Sequence, residues 1–342
     1  MRYRENISDS KAYKQAYLDA IENLIQSREV EAEKNRDAYI NEIIENSDRY
    51  RKELRSLLGW PLNAELAAEM PEAKLMKLSE EDGFTIYRME INVFEEISVC
   101  GLLFKKKEDG RKPLVFAIHG KWGSPELVAG FFEHDKGSYN AMIDRLLCYD
   151  TNVFAPQMLV WHENKVARNY GVPFDRIDID LRLKKTGSSA AAVEIFVLMR
   201  AMDYFEKQPY VGQFGMVGHS YGGFYTLYTQ ALDKRIKSAI CCAYFNRNTH
   251  QIMYDWSFSN SLNKFANAEV AALVYPRNIC FQMGNKDPLF DYRDTISEYE
   301  RLQKIFQNQD FSWAELKVFD GGHEFCKDDV YIKELVDCLW QE

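Results

Sequence analysis

The sequence of 342 residues has no apolar run long enough to cross a membrane. A spanning helix needs about 20 apolar residues, and the longest promising stretch, residues 190–202, is interrupted by Glu194 and Arg200. The first ten residues carry four charges and no apolar core, so a secretory signal peptide is not expected. The sequence therefore predicts a cytoplasmic protein without a membrane partner.

Paired cysteine motifs are also missing. The seven cysteines are odd in number, and none belongs to a C-x-x-C pair. This pattern predicts neither a disulfide framework nor a zinc site. We expect reduced thiols that are buried as small hydrophobic side chains, and no bound metal.

Positive charge is in deficit, with 43 Lys and Arg against 52 Asp and Glu and a net charge of −9. Binding to a phosphate backbone depends on positive charge, so no nucleic-acid partner is expected. No polybasic cluster suggests an anionic membrane surface either. The apolar fraction of 46% is ordinary for a globular protein and excludes a disordered chain.

Residues 1–80 are predicted to form an N-terminal helical extension. Residues 1–58 contain 23 charged side chains, and apolar residues recur among them at helical spacing. Gly59-Trp60-Pro61 is a strong stop signal. Two interpretations stay open: these helices cover the core, or they form an arm through which the chain makes a homodimer. The apolar positions are Tyr13, Ala16, Tyr17, Ala20, Ile21, Leu24, Ile25, Tyr39, Ile40, Ile43, Ile44, Leu54, Leu57 and Leu58.

Residues 81–342 alternate between strand and helix patterns. Two β-rich runs, 86–94 and 97–104, suggest a hairpin. After them, alternation of short apolar strands with helices predicts an α/β fold with a mainly parallel central sheet flanked by helices. The predicted strands are 113–118, 152–155, 213–218, 236–243, 278–283 and 314–319. The predicted helices are 138–149, 188–207, 223–232, 291–307 and 328–340.

Residues 244–277 interrupt this alternation. They are rich in aromatic side chains, including Tyr244, Phe245, Trp256, Phe258 and Phe265. An aromatic insert at the edge of a sheet is a candidate lid or pocket wall, and an additional packed helix is an equal alternative.

The strongest chemical signal is Gly218-His219-Ser220-Tyr221-Gly222, which fits G-x-S-x-G. A predicted strand leads into it and a predicted helix follows, which is the context of a nucleophile elbow. The turn is so tight that side chains at Gly218 and Gly222 would collide. Ser220 is therefore the candidate nucleophile, presented at the N-terminus of a helix.

A serine nucleophile needs a base, and the base needs a carboxylate that orients it. In this arrangement the chain order is serine, acid, histidine. His323 follows the strand 314–319 and is the candidate base, with His250 in the insert a poorer choice. Asp287 follows the strand 278–283 and is the candidate acid. Asp291 and Asp294 are rivals that are expected inside the next helix.

The oxyanion formed during acyl transfer needs two backbone N–H donors. One is expected from Tyr221, directly after the serine. The other is expected from the loop His119–Gly123, with Lys121 favoured and Trp122 second. His119 and His219 are interpreted as structural residues.

At this point the chain resembles the α/β-hydrolase superfamily, and within it the acetyl xylan esterase and dienelactone hydrolase-like branch. Besides the elbow, the resemblance includes Leu58-Gly59-Trp60-Pro61, Ile118-His119-Gly120 and residues 231–237 and 268–277, over roughly residues 54–342. It implies an α/β-hydrolase fold, a triad of Ser220, Asp287 and His323, and removal of acetyl groups from carbohydrates. Ser220 stands where dienelactone hydrolases have cysteine, and Tyr221 stands where classical deacetylases have glutamine.

The predicted activity is hydrolysis of a small-molecule ester through an acyl-enzyme, without a cofactor. Three alternatives remain: a C–C bond hydrolase, a small-peptide or amide hydrolase with the same triad, and a non-catalytic binding protein with this fold. Beyond the oxyanion loop, the candidate pocket residues are Trp161, His162, Trp256, Phe258 and Phe290.

Overall fold

The computed structural model describes residues 2–66, 69–131, 138–159, 175–247, 249 and 253–341. In this part of the chain nine strands form one sheet. The strands are β1 (Glu72–Glu80), β2 (Phe84–Phe94), β3 (Ile97–Lys106), β4 (Lys112–Ile118), β5 (Asn152–Pro156), β6 (Val211–His219), β7 (Ile236–Cys242), β8 (Asn278–Gly284) and β9 (Ala314–Phe319).

The α-helices of the described residues lie between and around these strands. They are α1 (Lys11–Asp37), α2 (Glu42–Glu45), α3 (Ser47–Leu58), α4 (Pro125–Val128), α5 (Met142–Leu147), α6 (Arg176–Lys185), α7 (Ala190–Glu206), α8 (Tyr221–Leu232), α9 (Asn267–Ala272), α10 (Tyr292–Ile305) and α11 (Val330–Trp340).

The sheet has the strand order β1-β2-β3-β5-β4-β6-β7-β8-β9. The pairs from β5 to β9 are parallel, whereas β1, β2 and β3 pair antiparallel with their neighbours and β3 pairs antiparallel with β5. Ile118 pairs with Gly218, and Gly284 pairs with Phe319. The carboxyl ends of the parallel strands therefore meet at one edge, where sites occur in sheets of this kind.

Two apolar layers enclose the sheet because side chains alternate along each strand. In β4, Phe116 faces the layer that includes Phe205 of α7 and Phe224 of α8. Val115 faces the opposite layer, which includes Leu335 of α11. This arrangement confirms the predicted α/β class with a mainly parallel sheet flanked by helices.

The predicted helical segment of residues 1–80 ends earlier in the structure. Helix α3 ends at Leu58, as the stop signal indicates, but Glu72–Glu80 is the edge strand β1. Sequence pattern does not identify this strand because most of its side chains are exposed, including Leu75, Met76 and Leu78. The apolar alternation that marks a half-buried strand is therefore missing.

The N-terminal helices differ in how much they contribute to the core. Helix α3 covers the core and buries Tyr50, Leu54 and Leu58. Helix α1 buries only Ala32 and Arg36, both near its C-terminal end.

The insert of residues 244–277 contains two 3₁₀ turns and α9. Four of its seven aromatic side chains are buried, namely Tyr244, Phe245, Trp256 and Phe265. The described residues include no helix that is long and apolar enough to cross a membrane.

All seven cysteines are free, but Cys100 and Cys148 are exposed, which corrects the expectation of uniformly buried thiols. Both lie outside the apolar layers.

Candidate active site

Ser220 occupies a strained turn between β6 and α8. Its backbone has φ 57° and ψ −117°, a conformation that non-glycine residues rarely adopt. The turn is fixed on both sides, because the Ser220 N–H donates to Cys242 O at 2.9 Å and the Ser220 carbonyl accepts from Phe224 N at 3.1 Å. The serine side chain is thereby held at the carboxyl edge of the sheet, at the N-terminus of α8.

The glycines of the motif are required by close backbone approaches. A Cβ at Gly218 would lie 2.1 Å from Gly222 O, and a Cβ at Gly222 would lie 2.1 Å from Ile118 O. Contacts this short are not tolerated between real atoms. The predicted reason for the G-x-S-x-G spacing is therefore confirmed by the geometry.

Asp287 lies in the loop after β8 and is fully buried. Its Oδ1 accepts hydrogen bonds from Leu289 N at 2.8 Å and Phe290 N at 3.1 Å. Its Oδ2 lies 2.7 Å from His323 Nδ1. Both carboxylate oxygens therefore have partners, and the second holds the imidazole of His323 in one orientation.

His323 reaches Asp287 because the loops after β8 and β9 pack closely together at glycine residues. Lys286 N donates to Gly321 O at 2.9 Å, and a Cβ at Gly284 would lie 2.2 Å from Gly322 O. Only a glycine at position 284 lets the loop after β9 come this close. The ring centroid of His323 lies 4.7 Å from that of His219, the residue directly before Ser220.

Glu324 anchors the loop that carries His323, a contact that sequence reasoning did not identify. Its Oε2 accepts from Asn140 Nδ2 at 2.8 Å, and its Oε1 accepts from Gly322 N at 3.3 Å. The hydrogen bond from Asn140 is the main cause that lowers the pKa of Glu324, with Lys327 second. No local sequence pattern links Asn140 to Glu324, because they are 184 positions apart.

The rival candidates for the acid lie at the start of α10. Asp291 caps α10 and binds Arg293 N at 2.9 Å. Asp294 lies in the first turn of α10. His250 falls outside the described residues.

The loop after β4 lies against Ser220. A Cβ at Gly120 would lie 3.2 Å from Ser220 Cβ, so the backbone approaches the serine closely here. Gly120 N donates to Tyr139 OH at 3.0 Å, and Gly123 N donates to Gly120 O at 3.0 Å. This closes a tight turn over Lys121 and Trp122, in which Trp122 has φ 61° and is 61% exposed.

His119 fixes the loop of residues 119–123, which is the candidate source of an oxyanion donor. This agrees with the prediction that His119 is a structural residue. Its Nε2 accepts from Met158 N at 2.9 Å, so its Nδ1 must carry the proton that is donated to Gly120 O at 2.8 Å. Burial lowers the pKa of His119 to about 4. Burial also lowers the pKa of His219, and the nearby His323 adds to this effect. Both histidines are therefore neutral at physiological pH.

A buried ionic cluster, which we call the Arg176 cluster, lies against the residue that follows Ser220. It consists of Arg176, Glu194, Asp255, Tyr221 and Tyr225. Arg176 Nε lies 2.5 Å from Asp255 Oδ2, and its Nη1 lies 2.9 Å from Glu194 Oε2. Tyr221 OH donates to Asp255 Oδ1 at 3.1 Å, and Tyr225 OH donates to Glu194.

The Arg176 cluster connects α6, α7, the insert and α8 around the Ser220 turn. Burial acts to lower the pKa of Arg176, but the surrounding anionic groups outweigh it and raise the pKa. Sequence reasoning missed the cluster because its charged members are 18 and 79 positions apart along the chain.

The predicted pocket residues are found in different environments. Phe290 lies beside His323, with 5.5 Å between ring centroids. Trp256 packs in the core against Tyr221 at 4.5 Å. Phe258 is partly buried beneath the Lys184 ammonium, which lies 5.3 Å from its ring centroid. Trp161 and His162 lie outside the described residues.

No protein-family model matches the chain, and no curated protein sequence is detectably similar to it. Solved structures are similar. A glucuronoyl esterase from Solibacter usitatus is 13% identical, with a TM-score of 0.60 over 86% of this chain and 92% of that one. Acetyl xylan esterase 1 from Thermoanaerobacterium sp. is 14% identical, with a TM-score of 0.56 over 87% and 94%.

A third similar structure is a cold-adapted esterase from an Arctic intertidal metagenomic library. It is 17% identical, with a TM-score of 0.52 over 76% of this chain and 97% of that one. At such identities the likeness establishes the fold. The chain has the α/β-hydrolase fold, as its sequence resemblance implies.

Proposed function

We propose that this chain of α/β-hydrolase fold is a serine esterase in which Ser220, His323 and Asp287 act as a catalytic triad. The observation that carries the proposal is the 2.7 Å contact between His323 Nδ1 and the buried Asp287 carboxylate. Because that contact uses Nδ1, the other ring nitrogen, Nε2, is the one that can accept the proton of Ser220. The ring of His323 packs on His219, the residue directly before Ser220. A base, its orienting carboxylate and a strained serine thus meet at one edge of the sheet.

Each group has a defined role in the two steps. In the first step Ser220 Oγ attacks the ester carbonyl, and His323 Nε2 takes the serine proton. Asp287 stabilises the imidazolium, and His323 then protonates the leaving alcohol. In the second step water attacks the acyl-enzyme and His323 takes a proton from that water. His323 then returns the proton to Ser220 Oγ as the bond to the acyl group breaks, which releases the acid and regenerates the serine. No cofactor takes part in these steps.

The oxyanion would be held by two backbone amides. The Tyr221 N–H lies at the first position of α8, where it has no partner within the helix. The Lys121 N–H follows Gly120, whose backbone lies against Ser220, and the Trp122 N–H is the second choice. Neutral His119 and Tyr139 fix this loop in advance, and fixed donors are what makes such a site effective.

A small ester is the substrate class that the surroundings favour. Phe290 beside His323 and the exposed Trp122 offer aromatic faces to an uncharged ring. The core side of Tyr221 is closed by Trp256, so little room is left for a long acyl chain there. Acetyl esters, including acetylated carbohydrates, satisfy both conditions, and two similar structures are named a glucuronoyl esterase and an acetyl xylan esterase.

The test compares hydrolysis of p-nitrophenyl acetate and butyrate by the wild type and by Ser220→Ala. We expect turnover by the wild type, a preference for acetate, and loss of at least about 10³-fold of the rate in the variant. Ser56→Ala is the matched control, since Ser56 is exposed and its hydroxyl donates only to Lys52 O in its own helix. It should retain full activity.

Fluorophosphonate labelling tests whether Ser220 is reactive, independently of whether the ester substrates are the right ones. Labelling of Ser220, located by mass spectrometry, with no ester turnover would overturn the ester assignment and direct the work to amide and C–C substrates. Full activity in Ser220→Ala would overturn the triad. Neither labelling nor turnover would favour a non-catalytic binding protein.

A further inference from the structure

An exposed apolar face runs along the first half of α1. We call this face the α1 seam; it consists of Tyr13, Tyr17, Leu18, Ile21, Leu24 and Ile25. At about 100° per residue these side chains fall on one side of the helix within about 140°. Ile21 is partly exposed, and the other five side chains are between 45% and 79% exposed. Gln15, Asp19, Glu22 and Gln26 lie on the opposite side.

Helix α1 is attached to the rest of the described chain only through its C-terminal end. Asn35 Nδ2 donates to Asn263 Oδ1 at 2.7 Å, and Arg36 donates to Leu262 O. Asp37 pairs with Arg301 at 3.1 Å and with Lys304 at 3.3 Å. No residue from Lys11 to Glu31 is buried. This stretch therefore extends from the core over about 30 Å, at 1.5 Å per residue.

A helix in this situation needs a partner. Most helix stability in proteins comes from packing an apolar face, and residues 11–31 of α1 bury none of theirs against the described chain. A contiguous row of exposed tyrosine, leucine and isoleucine is also unusual on a monomeric protein and marks an interaction surface.

The charges on α1 identify the partner that fits. Within α1, residues 11–18 contain two basic and no acidic side chains, whereas residues 19–33 contain five acidic and one basic side chain. Two copies placed antiparallel would set each basic half against the acidic half of the other. A parallel pair would set like charges against each other. Helix α1 as a whole carries five basic and six acidic residues, which does not suit an anionic lipid surface.

We propose that the α1 seam binds a second copy of this chain, so that the two helices pack antiparallel about a two-fold axis near Ile21. This register sets Tyr17 opposite Ile25 of the other copy and Leu18 opposite Leu24. A two-fold axis makes the surface complementary to itself and closes the assembly at two chains. The two catalytic domains then lie at opposite ends of the helix pair.

Sedimentation of the full chain tests the proposal. The wild type should have a mass of about 80 kDa, twice the 40.0 kDa of one chain. Leu24→Glu places two charges in the seam of each dimer and should weaken association at least about hundredfold. Gln26→Glu adds the same charge two residues away on the opposite side and should leave the dimer intact. A wild type that is monomeric at all concentrations, or a dimer that tolerates Leu24→Glu, would overturn the proposal.

Charge reversal tests the direction of the helices. In this register Lys11 faces Glu31 of the other copy, so Lys11→Glu should weaken an antiparallel dimer about tenfold, and adding Glu31→Lys should restore it. In a parallel pair the first change leaves like charges facing like charges, so unchanged association would overturn the antiparallel register. If the wild type is monomeric and binds phosphatidylserine vesicles, the partner of the α1 seam is a lipid surface and not a second copy of the chain.

Discussion

Helices α7 and α1 are both long, but they are stabilised in opposite ways. Helix α7 has 17 residues, of which ten are buried, and Ser189 caps its N-terminus. Helix α1 has 27 residues, of which two are buried, and its N-cap residue Ser10 makes no side-chain cap bond. Burial therefore determines the position of α7 within its own chain, whereas little in the same chain determines that of α1.

The charged side chains of the two helices show the same difference. Glu194 of α7 pairs with Arg176 at 2.9 Å, and both side chains are 9% exposed. Arg28 of α1 pairs with Glu31 at 2.5 Å, and both are more than half exposed. The first pair leads through Asp255 to Tyr221 at the candidate site. Within the described residues, the second pair makes no ion pair outside α1. Helix α7 thus supports the site, and α1 is available for assembly.

The largest effect is expected at the site, where Asp287→Asn should separate activity from assembly. The amide oxygen of asparagine would keep the hydrogen bonds from Leu289 N and Phe290 N, so its NH2 group would face His323 Nδ1 as a donor and force the imidazole into the wrong tautomer. We expect kcat for p-nitrophenyl acetate to fall by about 10⁴-fold with the sedimentation profile unchanged.

Asp291→Asn is the matched control for this change, because Asp291 caps α10 and binds Arg293 rather than His323. It should keep kcat within a few-fold of the wild type. If the two variants lose the same activity, the acid is not assigned correctly.

The next effect concerns the buried pair of α7. Arg176→Met leaves the carboxylates of Glu194 and Asp255 buried without their cation, which should cost about 3–5 kcal/mol of unfolding free energy. Arg28→Met removes the exposed pair of α1 and should cost no stability. Urea unfolding followed by tryptophan fluorescence measures both. Equal losses would mean that the exposed pair stabilises the chain as much as the buried pair does.

A third effect is expected where α1 joins the core. Glu298 of α10 is buried beside Glu269, Arg36 and Arg301, and its Oε1 accepts from Ala268 N at 2.7 Å. Burial, followed by the charge of Glu269, raises the pKa of Glu298 to about 7. Between pH 4.5 and 7 this carboxyl is ionised in the unfolded chain but protonated in the folded one. Stability should therefore fall as pH rises through this range, by about 3 kcal/mol in all.

Glu298→Gln removes this dependence, since an amide does not titrate and its oxygen still accepts from Ala268 N. The difference in unfolding free energy between variant and wild type should grow from pH 4.5 to 7 and then stay constant. Glu22→Gln, on the exposed side of α1, should give a curve parallel to that of the wild type. Parallel curves for both variants would show that Glu298 does not titrate in this range.

These contrasts also explain which features could be predicted from the sequence. The turn at Ser220 and the loops of Asp287 and His323 follow from local rules, because their glycines and flanking strands lie close together along the chain. Helix α7 is equally predictable from the sequence, because its capping serine and its apolar residues form a local pattern. These features set the fold and the expected site.

Other features depend on contacts between distant parts of the chain. Arg176, Glu194 and Asp255 carry no motif, and only the folded chain brings them to Tyr221. Strand β1 was predicted as part of the helical extension because it is exposed and lacks apolar alternation. The periodicity of α1 predicts a helix correctly. It does not indicate whether the apolar face of that helix packs against the core of the same chain.

The smallest effect compares the serines that begin the two helices. Ser189 Oγ accepts from Ala192 N at 3.0 Å and donates to Leu58 O at 2.7 Å. Ser189→Ala removes both bonds in a buried setting and should cost about 1–2 kcal/mol in urea unfolding. Ser10→Ala removes only a 3.5 Å contact to Ile7 O and should cost nothing measurable. If Ser10→Ala proves as costly, the start of α1 is held in place by its own chain, and the need for a second copy to stabilise it disappears.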